Sequence, residues 1–316
     1  MQVLQTPRLT LRWFHAGDAR HILALLNDPG WLRHIGDRHV HSKRDARQWI
    51  VGRLVPAYGR LGFGFWAAEQ RSDGAFVGMC GLIQRDTLPE VDVGYALLPR
   101  FRKRGLAREA AAACLQYGRE VLGLSQIWGI TSPGNRASAR VLESIGLRDA
   151  GVRAMPGERR PTRVFIWQAD GPATDDRAAI DALVQRVLSA LDHRGDGPST
   201  LPALPHYFLP SASISVARAD GSAAIGDLHG FIGPRAALRM SGRLHTHEER
   251  EIAQRTELAG PMAQRWSRIE RRGQLDGDAY VAQGTWLLQL VRTTHGWKIA
   301  ALAASDDAHP APDAPG

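Results

Sequence analysis

The fold of the first half of this chain is decided by residues 95–122, YALLPRFRKRGLAREAAAACLQYGREVL. A strand-like start ends at Pro99, and a basic loop with one glycine, Gly105, leads directly into a helical pattern. That pattern places apolar residues on one helix face and charged residues on the other. The first turn of a helix leaves its N–H groups unpaired and carries about half a positive charge. The stretch therefore predicts a strand, a phosphate-binding loop and a helix in succession.

A second helix start lies in residues 135–147, NRASARVLESIGL. Asn135 is a good N-cap, and capping can be its whole role. Gly146 suits the left-handed residue that follows a helix end. Ser138 stands in the first turn, three residues after the cap.

The other segments of the first half predict hairpin strands followed by single strand–helix units. LTLRWF alternates like a strand, and Asp18 then opens a short amphipathic helix. The remaining predicted strands are FGFWAAE and AFVGMCGLI, joined at the Asp73-Gly74 turn, then EVDVGYALLP, QIWGIT and TRVFIWQA. This mixed order of elements predicts an α+β fold.

Together these motifs resemble the GNAT acetyltransferase superfamily. Residues 102–107, RKRGLA, match its Arg/Gln-x-x-Gly-x-Gly/Ala loop, and residues 135–147 resemble its Asn-x-x-Ser helix. TPRLTLR at residues 6–12 and FGFWAAE are similar to the ribosomal-protein alanine N-acetyltransferase branch. The resemblance runs over roughly residues 5–168.

The resemblance implies that acetyl-CoA is the acyl donor, bound as a substrate, with no metal. The pyrophosphate would be held by backbone N–H groups of Arg102, Lys103, Arg104, Gly105, Leu106 and Ala107. The pantetheine arm would lie along the strand edge formed by Tyr95, Ala96, Leu97 and Leu98. Asn135 and Ser138 would approach the arm near its sulfur.

The implied reaction is attack of an amine on the thioester, and a carboxylate would help to deprotonate that amine. Asp92 stands two residues before Gly94, where the superfamily often places an acidic base. Glu90 is expected on the same strand face, one step further out. Glu158 lies near the base position of the ribosomal-protein branch, offset by about one residue. An exposed structural charge is the alternative interpretation of each carboxylate.

The leaving thiolate needs a proton or a hydrogen bond. Many relatives carry a tyrosine in the Asn-led helix, but Leu142 replaces it here, so Ser138 becomes the candidate donor. A backbone N–H near Leu98 would be the simplest donor to the developing oxyanion.

The chain divides at a polar segment with Gly and Pro, ADGPATDD. The expected organisation is a GNAT domain at 1–168, a linker at 169–176, a second domain at 177–307 and a disordered tail at 308–316. The second domain begins with an amphipathic helix, and its strand-like segments end in a hairpin that turns at His295-Gly296. This pattern resembles the cone-shaped α+β nuclear transport factor 2-like (cystatin-like) fold.

That second fold often encloses a cavity, so ligand binding, isomerase or dehydratase chemistry, and dimerisation all stay open for it. His245 and His247 would share a strand face, as metal ligands do, but no third ligand is evident. We therefore expect no metal site.

Composition favours a two-domain cytoplasmic protein. The chain has 316 residues, no signal-peptide pattern and no apolar run that would span a membrane. Cys80 and Cys114, the only cysteines, are expected in the core. The net charge of +8 is concentrated in the first half, which suits the polyanion coenzyme A or reflects an arginine-rich genome. Basicity alone does not support nucleic-acid binding, because aromatic residues are not interleaved with the basic loop.

The sequence thus predicts an N-acetyltransferase that transfers an acetyl group to a primary amine by direct attack in a ternary complex. The acceptor would be a protein N-terminus or a small amine. The alternative is a sensor that binds acyl-CoA or another small ligand without turnover.

Overall fold

The computed structural model describes residues 1–155, 161–169, 175–195, 198–217 and 222–307. The chain forms two compact units, Met1–Gly171 and Pro172–Gly316. The predicted tail, most of the predicted linker and the candidate base Glu158 lie outside the described residues. No helix in the described ranges combines the length and apolar character needed to cross a bilayer.

The first unit contains eight strands and six helices among its described residues. The strands are β1 Gln2–Gln5, β2 Leu9–Arg12, β3 Phe65–Gln70, β4 Phe76–Ile83, β5 Asp92–Leu97, β6 Gln126–Thr131, β7 Arg148–Arg153 and β8 Thr162–Gln168. The helices are α1 Ala19–Leu26, α2 Pro29–His34, α3 Lys43–Trp49, α4 Val55–Leu61, α5 Leu106–Glu120 and α6 Arg136–Ser144.

These strands form one sheet in the order β1-β2-β3-β4-β5-β6-β8-β7. All neighbours are antiparallel except β5 and β6, which are parallel. Seven of the eight residues of β4 are buried, because helices cover both faces of the sheet at its centre. Helix α5 packs on β4 and β5 through an apolar face that includes Leu106, Ala110 and Cys114.

The hairpin and strand–helix order predicted for this half is present, but five elements were not predicted, among them β1, which pairs with β2. Helices α2, α3 and α4 lie between residues 29 and 61, and β7 pairs with β8 at the sheet edge. The three helices are short, with six or seven residues each, so none shows two full turns of apolar periodicity. Strand β7 is almost entirely exposed and therefore lacks an apolar pattern.

The second unit consists mostly of sheet. Its described elements are α7 Asp176–Leu191, β9 His193–Arg194, α8 Leu204–Tyr207, β10 Phe208–Ala217, β11 Ala223–Gly226, α9 Leu228–Met240, β12 Leu244–Ala259, β13 Met262–Leu275, β14 Asp278–Thr293 and β15 Gly296–Asp306. The strand order is β11-β10-β15-β14-β13-β12-β9, with β10 and β15 parallel. Helix α7 packs against β12 and β15, and α9 packs against β10, β11 and β12.

A buried lysine makes the stability of the second unit depend on pH. Lys298 in β15 donates to the main-chain oxygen of His206, and burial lowers its pKa from 10.5 to about 8. Between these two values the unfolded chain binds a proton that the folded chain does not, so the free energy of unfolding should rise with pH. The rise should reach at most about 3 kcal/mol. Urea unfolding of wild type and Lys298→Met from pH 8 to 10.5 measures it. An equal pH dependence in both proteins would contradict this assignment.

Candidate active site

The open edge of β5 is the main feature of the site. Strands β5 and β6 are paired at one position, Asp92 opposite Trp128, and beyond it the described parts of the two strands separate. The other edge of β5 pairs with β4 from Asp92 to Leu97. Leu98 N–H donates to Val77 O at 2.9 Å, and antiparallel pairing alternates along a strand. The main-chain groups of Tyr95 and Leu97 therefore face the gap toward β6.

The loop after β5 gathers unpaired N–H donors. It makes a short 3₁₀ turn, Pro99–Phe101, and then passes through two left-handed residues, Lys103 (φ 59°) and Gly105 (φ 77°). Gly105 is the N-cap of α5 and supplies no side chain to satisfy the first turn. Among the described residues, the N–H groups from Lys103 to Arg108 have no main-chain acceptor. Consecutive free N–H groups at a helix start form an anion-binding site.

The N–H of Arg102, which was expected among the pyrophosphate donors, is not available. The N–H of Arg102 donates to Pro99 O at 3.1 Å, so it is not free. Its side chain is also engaged, because Nε donates to Leu97 O at 2.9 Å and the guanidinium pairs with Asp28, the N-cap of α2. The free donors thus run from Lys103 to Arg108, one residue later than the sequence match implied.

The turn between β1 and β2 is hydrogen-bonded to the start of α5. The contacts of Thr6 and Arg8 with Glu109 are called the Glu109 brace. Glu109 accepts from Thr6 Oγ1 at 2.6 Å and from the main-chain N–H of Arg8 at 2.9 Å. The Arg8 guanidinium pairs with Glu109 at 2.6 Å and donates to Arg104 O at 2.9 Å. The Thr-Pro-Arg segment therefore holds the donor loop in place. It also neutralises the one carboxylate in the first turn of α5.

Removing the arginine of this brace should weaken coenzyme A binding. In Arg8→Ala, the Glu109 charge stays beside the donors without its cation, so the affinity should fall about two- to fivefold, more at low salt. Arg71→Ala is the matched control, because Arg71 donates to Thr6 O in the same turn but does not contact Glu109. Calorimetric titration with coenzyme A at two salt concentrations measures both variants. An equal loss in the control would contradict an electrostatic role for Arg8.

Asn135 and Ser138 lie at the start of α6, where the sequence placed them. The side-chain oxygen of Asn135 accepts from Ser138 N–H at 3.1 Å, so Asn135 caps the helix. Ser138 Oγ lies 3.0 Å from the Tyr95 hydroxyl, which also donates to Ser138 O at 2.9 Å. Burial raises the pKa of Tyr95, with the Ser138 hydrogen bond opposing the rise, so the phenol stays protonated at neutral pH. Sequence reasoning assigned only the backbone of Tyr95 to the site and missed this hydroxyl.

Asp92 is 1% exposed and lies where β5 and β6 begin to separate. Arg85 binds both of its oxygens, with Nε 2.8 Å from Oδ1 and Nη2 3.3 Å from Oδ2. Burial raises the pKa of Asp92, and the charge and hydrogen bonds of Arg85 oppose that rise. Asp92 and Tyr95 are three residues apart in one strand, so they lie on opposite faces of the sheet.

Two expectations near Asp92 need correction. Glu90 lies in a bend before β5, which begins at Asp92, so strand alternation does not place the two carboxylates on one face. The N–H of Leu98 pairs with β4 and is not free to bind an oxyanion. The N–H groups of β5 that face the gap belong to Tyr95 and Leu97.

Leu142, which stands where many relatives carry a tyrosine, is buried in the core and lies within contact distance of Gly129.

Two sets of histidines bear on metal binding. The two ring nitrogens of His247 contact the Tyr280 hydroxyl and Glu249. A separate exposed group, Asp37, His39 and His41, brings one potential ligand atom from each residue within 4.8 Å. Its members are spaced by two residues, a signal that sequence reasoning did not use.

Comparison with known proteins agrees with this geometry. Residues 8–148 match the family model described as an acetyltransferase (GNAT) domain. The uncharacterized protein YkkB of Bacillus subtilis (strain 168) is 33% identical over 147 residues, which are 46% of this chain and 84% of YkkB. The uncharacterized N-acetyltransferase YnaD of the same organism is 37% identical over 148 residues, 47% of this chain and 84% of YnaD.

A third relative carries a named activity. The FsC-acetyl coenzyme A-N(2)-transacetylase of Aspergillus fumigatus (strain ATCC MYA-4609 / CBS 101355 / FGSC A1100 / Af293) is 27% identical over 152 residues, 46% of this chain and 64% of that protein. Relatives named as acetyltransferases favour an enzyme over a sensor without turnover. This chain belongs, through its first unit, to the GNAT acetyltransferase family and is an acyltransferase.

Proposed function

We propose that the chain transfers an acetyl group from acetyl-CoA to a primary amine. The observation that carries this proposal is the junction of an open β5 edge with the free N–H groups from Lys103 to Arg108. The loop donors suit a pyrophosphate, and the main-chain groups of Tyr95 together with the N–H of Leu97 suit the amides of an extended pantetheine arm. The name of the Aspergillus relative, which contains acetyl coenzyme A, also supports the choice of donor.

The polar groups beside the gap between β5 and β6 suggest how the reaction would proceed. An amine that attacks the thioester must lose a proton, and Asp92, which is paired with Arg85, is the proposed general base. The Tyr95 and Ser138 hydroxyls lie on the opposite face of β5 and would supply a hydrogen bond or proton to the leaving thiolate. The N–H of Tyr95 or Leu97 would donate to the oxyanion. A base and an acid on opposite faces of β5 suit direct attack in a ternary complex.

The acceptor class follows from resemblance and is part of the proposal. The similarity of the Thr-Pro-Arg segment to the ribosomal-protein branch favours a protein N-terminus, and small amines are the other acceptors within reach of this chemistry. For the second unit, we propose the nuclear transport factor 2-like fold, supported by its leading helix and its succession of long antiparallel strands.

Release of free thiol from acetyl-CoA tests the proposed reaction. The full chain is incubated with acetyl-CoA and a panel of amines that includes peptides with N-terminal alanine or serine, polyamines and aminoglycosides. Turnover above the rate without amine, with acetylated product detected by mass spectrometry, is expected for at least one class. Tight binding of acetyl-CoA with no acetylated product from any amine would contradict the proposal.

A further inference from the structure

The inward face of the second sheet carries two polar clusters side by side. Glu249 and Glu251 are two residues apart in β12, so their side chains point to the same face. Both are buried or nearly so, at 1% and 5% side-chain exposure. Each carboxylate is the centre of one cluster, and the two clusters differ in how completely their atoms are paired.

The cluster around Glu251 is fully paired. Arg265 donates to Glu251 at 3.0 Å and 2.5 Å, and its third nitrogen donates to Thr256 at 2.9 Å and contacts Asp181. Ser267 Oγ donates to Glu251 at 2.5 Å. Among the described residues, no buried side-chain atom of this cluster lacks a partner. We therefore assign it a structural role.

In the cluster around Glu249, a chain of hydrogen bonds runs from Tyr280 through His247 to Glu249, whose second carboxylate oxygen is unpaired among the described residues. The Tyr280 hydroxyl contacts His247 Nδ1, and His247 Nε2 lies 2.9 Å from Glu249 Oε1. The other oxygen, Glu249 Oε2, is buried and has no donor in the described part of the chain. Asp192 accepts from the Glu249 main chain at 2.9 Å, so the backbone at this position is fixed.

Two arginines interact electrostatically with Glu249. Arg271 in β13 lies opposite Glu249 in the sheet register and pairs with Asp306. Arg239 in α9 donates to Leu191 O and to Ser199 Oγ. In both arginines, Nε is buried without an acceptor among the described residues. Burial lowers the pKa of Arg239 to about 10, with neighbouring Arg235 adding to the effect, so at least one further cation is close by.

Glycines leave space for these side chains. A Cβ at Gly284 would lie 2.5 Å from Arg271 Nη2, and a Cβ at Gly273 would lie 2.9 Å from the Tyr280 hydroxyl. A buried donor or acceptor without a partner costs about 1–3 kcal/mol, and in the described part of the chain Glu249, Arg239 and Arg271 each carry one such atom. The fully paired cluster next to it shows that this sheet can satisfy buried charges where only stability is required. The three free atoms thus point to a ligand that supplies two acceptors and one donor.

We propose that the Glu249 cluster is a binding site for a small organic acid that carries a hydroxyl or amino group. The carboxylate of the ligand would accept from Nε of Arg271 and Arg239, and its hydroxyl or amine would donate to Glu249 Oε2. His247, fixed between Tyr280 and Glu249, orients the Glu249 carboxylate that would accept from the ligand's hydroxyl or amine. This site belongs to the second unit alone and does not depend on the acetyl-transfer proposal.

Calorimetric titration and thermal-shift measurements on the full chain test this site with L-lactate, L-malate and L-serine. Acetate and glycerol are the controls, because each offers only one of the two required functions. At least one hydroxy or amino acid should bind at least about tenfold more tightly than either control. Arg271→Met and Glu249→Gln should each lose at least about tenfold of that affinity. Arg268→Met is the matched control, because Arg268 lies on the opposite face of the same strand and pairs with Asp307.

The outcome in wild type decides the proposal even if a variant fails to fold. No binding of the three acids up to about 10 mM, or equal binding of acetate, would overturn it. An equal loss in Arg268→Met would also overturn it, because removal of any positive charge would then be sufficient. Binding should persist in Gly105→Asp, a substitution in the other unit, which separates this site from the coenzyme A site.

Discussion

Replacing Gly105 by aspartate should weaken coenzyme A binding by at least about 100-fold, equivalent to about 2.7 kcal/mol. Gly105 adopts φ 77° at the N-cap of α5, between the free N–H groups of the loop and those of the helix. A side chain at this φ is strained. A carboxylate there would accept hydrogen bonds from the N–H groups and would also repel the phosphates. Calorimetric titration with coenzyme A measures the effect.

Gly146→Asp separates strain from charge in this experiment. Gly146 also has a left-handed backbone (φ 95°) and open space around its Cβ position, but it lies at the end of α6. This variant should bind coenzyme A as the wild type does while showing a similar loss of thermal stability. If Gly105→Asp bound coenzyme A normally, the phosphate site would have to lie elsewhere.

The largest effect on turnover is expected for Asp92→Asn. If Asp92 is the general base, the substitution should lower kcat about 10²–10³-fold, with little change in coenzyme A affinity. Because burial raises the pKa of Asp92, wild-type activity should decline as the pH falls through that raised value, and this decline should be absent in Asp92→Asn. Initial rates across pH, with a fixed amine acceptor, measure both effects.

The double variant Arg85→Gln/Asp92→Asn controls for the buried ion pair. Asp92→Asn leaves the Arg85 guanidinium without its carboxylate, and this alone could distort β5. Removing both charges should restore stability but not activity if Asp92 acts in catalysis. Recovery of turnover in the double variant would instead identify Asp92 as a positioning residue.

The sequence alone located the loop that we propose as the phosphate site, because its signals are local. Gly105, the basic residues before it and the alanine-rich helix after it all act within one turn. The cap at Asn135 is equally local, and in the structure Asn135 is the N-cap of α6, its side-chain oxygen accepting from Ser138 N–H. Such features depend on backbone geometry over a few residues, which residue types specify well.

The details that sequence reasoning missed depend on contacts between distant segments. The Glu109 brace joins residues about 100 positions apart, and the pairing of Arg102 with Asp28 spans 74 positions. The availability of the Leu98 N–H is decided by its pairing with β4. In the second unit, the contrast between the Glu249 and Glu251 clusters depends on which atoms meet across four strands and two helices. Residue spacing does not contain that information.

A crystal structure of the full chain with acetyl-CoA tests the proposed active site in one measurement. We expect the pyrophosphate to accept from N–H groups between Lys103 and Arg108, and the pantetheine arm to lie between β5 and β6 with the thioester near Asp92 and Tyr95. Coenzyme A bound elsewhere, with β5 and β6 closed on each other along the gap, would contradict this account.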